Sequence, residues 1–240
     1  MIPSLDAIEA VLLDVGGVMV VPDPRLLGRV VSAHGGTTDL SVVLRAHHRG
    51  MAAGDSDGAF DWDAYHGRLL RECGVPEEQT AACLGDMQVM IAERPDLWSH
   101  VLPGVREGLA ACAELLELGI VSNSNGTVEQ LLRDEAICQV GPGPGVVVTC
   151  VVDSEVVGVA KPDPRVFGPA VAALRVRADN VAYVGDTRAF DLAGARAAGL
   201  TGIHVDPLEL CPQRADHHHV HDLGEVAPLL ARRAMASTEP

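Results

Sequence analysis

An α/β architecture, a doubly wound parallel sheet carrying a small helical insert, is predicted by three observations. First, short runs rich in Val, Leu and Ile end on polar residues: Val11-Leu12-Leu13 before Asp14, Ile120-Val121 before Ser122, and Val181–Val184 before Gly185-Asp186. Runs this short read as strands buried on both faces, as in the middle of a parallel sheet. Second, from residue 102 onward such runs alternate with helical patterns, which implies right-handed crossovers and helices on both faces. Third, hydrophobic residues make up 48% of the 240 but aromatics only 3%. The core must then be built from Ala, Val, Leu and Ile, which suits helices packed on a sheet.

Taken in order, the run 11–18 forms the first strand and delivers Asp14 to the carboxyl edge of the sheet. Gly16, Gly17, Pro22 and Pro24 then punctuate a turn region. Segments 25–34, 40–53, 60–73 and 77–93 have helical spacing of apolar residues, separated by Gly-Gly, Gly-Asp-Ser-Asp-Gly and Gly-Val-Pro breaks, and contain no convincing buried strand. Residues 23–95 are therefore assigned to an all-helical cap domain, and 1–22 with 96–240 to a Rossmann-like core. Leu102-Pro103-Gly104-Val105 opens a helix expected to run to about Leu118 and to end at Gly119. Strand 120–123, helix 127–137, strand 146–152, helix 163–175, strand 181–184, helix 189–198 and strand 203–205 follow. An amphipathic stretch, 222–233, and a polar tail close the chain. Gly-Pro-Gly-Pro-Gly at 141–145 precedes a strand and has no lysine in phosphate-loop register, so it reads as a turn.

The formal net charge of −15 argues against nucleic acid or an anionic membrane surface as a partner, since both require a cationic face. Six cysteines are scattered without metal-type spacing, which reads as reduced, mostly buried thiols of a cytoplasmic protein. Asp6, Glu9 and Asp14 interrupt the first apolar segment, and no basic region precedes it, so neither a signal peptide nor a membrane span is expected.

Four strand ends carry polar groups: Asp14; Ser122 with Asn123; Lys161 shortly after the third strand; and Asp186, with Asp191 five residues on. Topology predicts that they meet at one edge, where loops of open α/β sheets splay apart and chemistry collects. Carboxylates, a hydroxyl and an ammonium there suit a hard divalent cation such as Mg²⁺ and a phosphoryl group, and Asp14 with Asp186 fits that ion better than a His or Cys set would.

The chain resembles the haloacid dehalogenase superfamily, in the subgroup with a helical cap inserted after the first strand. Asp14 matches its first motif, Val121-Ser122-Asn123 the second, Gly158-Val159-Ala160-Lys161-Pro162-Asp163-Pro164 the third, and Gly185-Asp186-Thr187-Arg188-Ala189-Phe190-Asp191 the fourth. The resemblance implies an Mg²⁺-dependent phosphomonoesterase acting on a small phosphorylated metabolite. In that reading Asp14 attacks phosphorus and forms an aspartyl-phosphate that water hydrolyses. Ser122, Asn123 and Lys161 would contact the phosphoryl group, with Lys161 also offsetting charge on the nucleophile. Asp14, Asp186 and the backbone carbonyl of Gly16 would bind Mg²⁺. Asp191 would orient a metal-bound water or Lys161.

One departure matters. Phosphatases of the superfamily usually carry a second aspartate two positions after the nucleophile, as acid toward the leaving oxygen and then base toward water; here that position is Gly16. General acid–base help is worth about 10²–10⁴-fold. The loss leaves two alternatives beside the phosphatase: a catalytically weak or silent module binding a phosphometabolite or protein partner, and a 2-haloacid dehalogenase-like hydrolase. Phosphonate cleavage would need a cap lysine, and residues 22–100 contain none. The cap, expected to close over the ester, offers His47, His48, Trp62 and His66 as candidate substrate contacts, although helical spacing makes a packed core the default for them. His217, His218, His219 and His221 look like a metal tract but read as a solvated loop far from the carboxyl edge. Substrate identity and oligomeric state are open at this level.

Overall fold

A computed structural model describes residues 2–56, 59–94 and 96–236, with side chains described through residue 231. Asp57 and Gly58 of the glycine-aspartate break, and the last four residues of the polar tail, lie outside the described residues. The chain divides into two compact units, 1–19 with 102–240, and 20–101.

The first unit is built on a six-stranded parallel sheet. Its spatial order is His218–Val220, Thr201–Val205, Val181–Gly185, Ala10–Leu13, Glu117–Ser122 and Cys150–Asp153. The doubly wound α/β class is therefore as the sequence predicts. Ala10–Leu13 is flanked on both sides and fully buried, which explains its unbroken apolar run. Register then decides which residues share the carboxyl edge. Leu13 pairs with Ile120 and with Val184, and the amide of Asp14 donates to the carbonyl of Val184 at 2.9 Å, so the ladder runs one residue beyond the strand. Ser122 stands beside Asp153, Gly185 beside His204, and His204 beside His219. On one face of the sheet, Phe167, Ala170 and Leu174 pack against Leu12, Val121, Val181 and Tyr183.

Several element boundaries differ from expectation, each for a physical reason. The helix opening at Val105 stops at Ala113, and the strand begins at Glu117. Gly119 is thus inside the sheet, where a Cβ would meet Leu12 Cδ2 at 2.8 Å and Cys150 Sγ at 2.9 Å. Its glycine serves close side-chain packing and not a helix end. The expected strand 146–152 is two strands, Val146–Val148, which pairs in parallel with Cys138–Val140, and Cys150–Asp153 in the main sheet. The helix expected over 189–198 begins as a π-helical turn, Arg188–Leu192, before Ala193–Ala197. The histidine tract is not a solvated loop: His218–Val220 is the sixth sheet strand, and His217 is buried.

The second unit contains helices Pro24–Ala33, Leu40–Gly54, Trp62–Glu72 and Glu77–Glu93, close to the predicted segments. Asp23, Asp39 and Asp61 cap the first three, accepting from the amides of Arg25, Ser41 and Ala64. Each such cap is worth about 1 kcal/mol. Leu27, Val31, Val43, Leu69, Leu70 and Met87 form its core. The antiparallel ribbon of Val20–Pro22 with Trp98–Val101 belongs to this unit and sets the divide at 19/20 and 101/102, outside the expected 22/23 and 95/96. A second ribbon, Asp55–Ser56 with Ala59–Phe60, joins two of the helices and is too short for any periodicity to reveal. Among the described residues no helix is long and apolar enough to cross a membrane.

Candidate active site

The carboxyl edge brings two strand ends, a π-helical turn and one loop to a single buried cluster. Asp14 follows the central strand, Asp186 the neighbouring one, and Asp191 lies on the π-helical turn; one carboxylate oxygen from each falls within 4.8 Å of the others. Lys161 is inserted between them. Its Nζ lies 2.8 Å from Asp14 Oδ1 and 2.7 Å from Asp191 Oδ1, and it donates to Tyr183 Oη at 2.8 Å. The Tyr183 hydroxyl faces the Val121 carbonyl at 2.9 Å and Asp191 Oδ1 at 3.1 Å. Every member of this network is under 10% exposed.

Burial governs the electrostatics. It pushes the Asp14 carboxyl up to about 6, outweighing the Lys161 ammonium beside it, and the nearby Asp191 adds to the rise. Burial also opposes the charge on Lys161, but Asp14 and Asp191 more than compensate and raise its pKa. Asp191 stays on the low side of the usual carboxylate range because Lys161 and Thr187 stabilise its anion against burial. A buried cation thus sits between two acids, and the cluster has an excess of negative charge.

Asp191 acts as a positioning residue. While Oδ1 receives Lys161 and Tyr183, Oδ2 accepts from Thr187 Oγ1 at 2.6 Å, the Thr187 amide at 2.9 Å and the Asp186 amide at 3.2 Å. One carboxylate therefore holds both the ammonium and the backbone that presents Asp186. Gly185 makes this possible, since a Cβ there would lie 2.4 Å from Asp191 Cβ.

Asn123, expected among the phosphate contacts, has its side-chain amide committed to the backbone of Lys161: Nδ2 donates to the Lys161 carbonyl at 3.0 Å, and the Lys161 amide donates to Oδ1 at 2.8 Å. It fixes the loop that carries the lysine. Ser122 is buried at the end of its strand. Gly16 lies in the turn closed by the Met19 amide on the Val15 carbonyl, at 2.8 Å.

The donor chemistry fits a hard divalent cation, because carboxylate oxygens converge while no sulfur or imidazole belongs to this cluster. The backbone leaves room for the Asp186 carboxylate. Gly17 takes φ +72°, and a Cβ at that position would fall 1.9 Å from Asp186 Oδ2. Only glycine lets Asp186 pack against the turn after Asp14. Gly17→Ala is expected to displace Asp186 and to lower cation affinity by at least about tenfold, with the fold kept; isothermal titration and a circular dichroism spectrum check the two halves of that expectation.

The cap candidates separate into two kinds. His47 is fully buried, pairs through Nδ1 with Tyr65 Oη at 3.1 Å and meets the Trp98 ring edge-on at 5.2 Å, so it is a core residue of its unit. Burial pushes its pKa well down. Trp62 and His66, by contrast, line an apolar cavity of about 260 Å³ with Tyr65, Leu69, Met87 and Trp98. His48 lies against His47, ring centroids 5.2 Å apart, and is only partly buried.

Sequence reasoning missed Tyr183 and Thr187. A tyrosine in the otherwise aliphatic run 181–184, one of only two in the chain, was the available signal.

A parallel α/β sheet whose carboxyl edge clusters three aspartates around a lysine is the architecture that the comparisons with known proteins then place in a hydrolase family. A family model described as haloacid dehalogenase-like hydrolase matches residues 8–199, and the chain belongs to that family. It is 30% identical over 169 residues to haloacid dehalogenase-like hydrolase domain-containing protein 3 of Bos taurus, covering 68% of this chain and 64% of that protein. It is 36% identical over 124 residues to the phosphoserine phosphatase of Thermus thermophilus, covering 50% and 47%. The match thus spans less than two thirds of the length of both relatives. Among solved structures, the 2-haloacid dehalogenase from Pseudomonas syringae pv. Tomato DC3000 superposes with a TM-score of 0.55 at 20% identity, covering 94% of this chain and 99% of that one; this likeness concerns the fold.

Proposed function

We propose that the protein is an Mg²⁺-dependent phosphomonoesterase that hydrolyses a small phosphorylated metabolite through an aspartyl-phosphate on Asp14. The observation carrying this reading is the pairing of Asp14 with Lys161 at 2.8 Å inside a cluster that still holds Asp186 within cation-ligand reach. A 2-haloacid displacement has no anionic phosphoryl group to neutralise and does not require that acid excess. The relative named as a phosphoserine phosphatase supports the same reading.

In this mechanism an Asp14 oxygen attacks phosphorus as the bond to the leaving oxygen breaks. Lys161 lowers the repulsion between carboxylate and phosphoryl anion, and Ser122 donates to a phosphoryl oxygen. Water then attacks phosphorus and releases Asp14 with inorganic phosphate. Asp14, Asp186 and the Gly16 carbonyl would hold Mg²⁺, which when bound supplies charge neutralisation at the phosphoryl oxygens. Asp191 keeps Lys161 and the Asp186 backbone in place throughout. With glycine at position 16, the leaving oxygen departs without an acid from that position, so turnover is expected to favour good leaving groups.

Phosphate release from p-nitrophenyl phosphate, with Mg²⁺ and then with EDTA, tests the proposal. Activity that requires Mg²⁺ supports it. No release from a broad phosphate panel would favour a binding module, and halide release from 2-haloacids would favour the dehalogenase. Gly16→Asp is expected to raise alkyl-phosphate turnover by about 10-fold or more and aryl-phosphate turnover little; equal changes for both substrate classes would contradict the missing-acid argument.

A further inference from the structure

A second set of ligating side chains lies next to the acid cluster, at the edge of the same sheet. His204 is on strand Thr201–Val205, His217 immediately precedes and His219 lies within the neighbouring strand His218–Val220, and Cys211 is on the loop between the two strands. One donor atom from each of the four falls within 4.8 Å of the others. His204 Nδ1 lies 3.2 Å from His217 Nε2, which lies 3.6 Å from Cys211 Sγ. Zinc bonds of about 2.05 Å to nitrogen and 2.3 Å to sulfur give tetrahedral edges of about 3.3 Å between nitrogens and about 3.6 Å from nitrogen to sulfur. Both measured separations match those edges.

Three further features set this cluster apart from a chance gathering. His204 Nε2 faces the Asp186 carbonyl at 3.0 Å, so that nitrogen carries the proton and Nδ1 turns its lone pair toward the cluster. Ligating histidines are held in their tautomer in this way, by a partner on the far nitrogen. Asp206 accepts from the amides of Leu210 at 2.8 Å and Cys211 at 3.1 Å, which fixes the loop bearing the thiol. His217 is 5% exposed, and both ring nitrogens of His219 are buried, with Asp206 Oδ2 3.6 Å from Nδ1, beyond hydrogen-bond length. Such burial is costly for a polar atom left alone, and coordination would relieve it.

We infer that His204, Cys211, His217 and His219 form a tetrahedral site for a divalent ion of the zinc class, separate from the carboxylate site. Imidazole and thiolate donors select such an ion over Mg²⁺, which the oxygen cluster suits. Bound there, the ion would tie the loop after Val205 to the sheet, and His204 would link it to the backbone of Asp186. The inference does not depend on the phosphatase reading.

Metal analysis of untagged protein, purified without chelator, tests it. About one zinc per chain is expected in the parent and in Asp14→Asn, with loss of that zinc in Cys211→Ser and in His219→Gln. Stripped parent protein refilled with one equivalent of Co²⁺ should show intense tetrahedral visible bands and a thiolate-to-cobalt charge-transfer band, and this readout needs no ligand variant to fold. A weak octahedral cobalt spectrum in the parent, zinc-free parent protein, or zinc retained in both ligand variants would overturn the site. Zinc lost from Asp14→Asn would move the ion to the acid cluster and overturn it too.

Discussion

Asp14→Asn is expected to lower Mg²⁺-dependent turnover of p-nitrophenyl phosphate by about 10³-fold or more while leaving the metal-free fold at least as stable as the parent. The two effects have one origin. Asp14 is buried at the end of the central strand, and its folded-state pKa of about 6 lies above the ordinary 3.8. A carboxyl raised in this direction favours the folded state while it keeps its proton, and that contribution is lost as pH rises through about 6. At pH 7.5 the ionised side chain is therefore a net liability to the metal-free fold, which the proposed mechanism accounts for because its nucleophile must be anionic. An amide removes the liability together with the chemistry. Turnover and thermal melts of the chelated protein check both parts; a clear loss of stability would show that Asp14 is a structural member of its ion pair.

Lys161→Met should be damaging on both counts. The ammonium is 2% exposed and stands between Asp14 and Asp191 at 2.8 and 2.7 Å. Removing one partner of a buried ion pair leaves uncompensated charge, at a cost of about 3–5 kcal/mol. Turnover should fall by about 10²–10³-fold, because the repulsion between nucleophile and phosphoryl anion is no longer offset. Chemical denaturation and kcat measure the two separately. The variant should regain part of its stability as pH falls, starting above pH 6, because Asp14 loses the ammonium that lowers its pKa and takes up a proton more readily than in the parent; unchanged stability at pH 7.5 would contradict the charge assignment.

The two acids that flank Lys161 differ in which of their atoms are engaged. Asp191 has both oxygens engaged by Lys161, Tyr183, Thr187 and the Asp186 amide. Asp14 has Lys161 on Oδ1 and a hydrogen bond from the Val15 amide, and lies just past the end of its strand. One carboxylate is saturated and holds the frame, while the other, on the proposed mechanism, is the one that reacts.

The sheet and the placing of Asp14 and Asp186 at its carboxyl edge were legible because strands buried on both faces leave unmistakable apolar runs, and the helical insert was legible from its apolar spacing. What escaped depended on contacts across the fold. His218–Val220 carries two histidines in three residues, so no apolar run marks it as a strand. Its register against Thr201–Val205 puts His219 beside His204, and residue spacing could not bring Cys211 to the same point. Gly119 looked like a helix end because glycine serves helix termini and tight sheet packing alike, and only the neighbouring Leu12 and Cys150 side chains distinguish the two. Asn123 was placed by its motif, but the pairing of its amide with the backbone of Lys161 is a contact between residues 38 positions apart. The cap candidates were ambiguous for a related reason: helical spacing put His47 and His66 on one element or its neighbour without saying that the first is sealed inside and the second faces a cavity.

The most direct measurement is the site of covalent phosphorylation. Protein mixed with substrate and Mg²⁺, quenched in acid within a single turnover and reduced with borohydride, should yield a peptide in which residue 14 has become homoserine, the product of an aspartyl-phosphate. A modified residue at any other position, or unmodified peptide from protein that is turning over, would contradict the assignment of Asp14 as the attacking group.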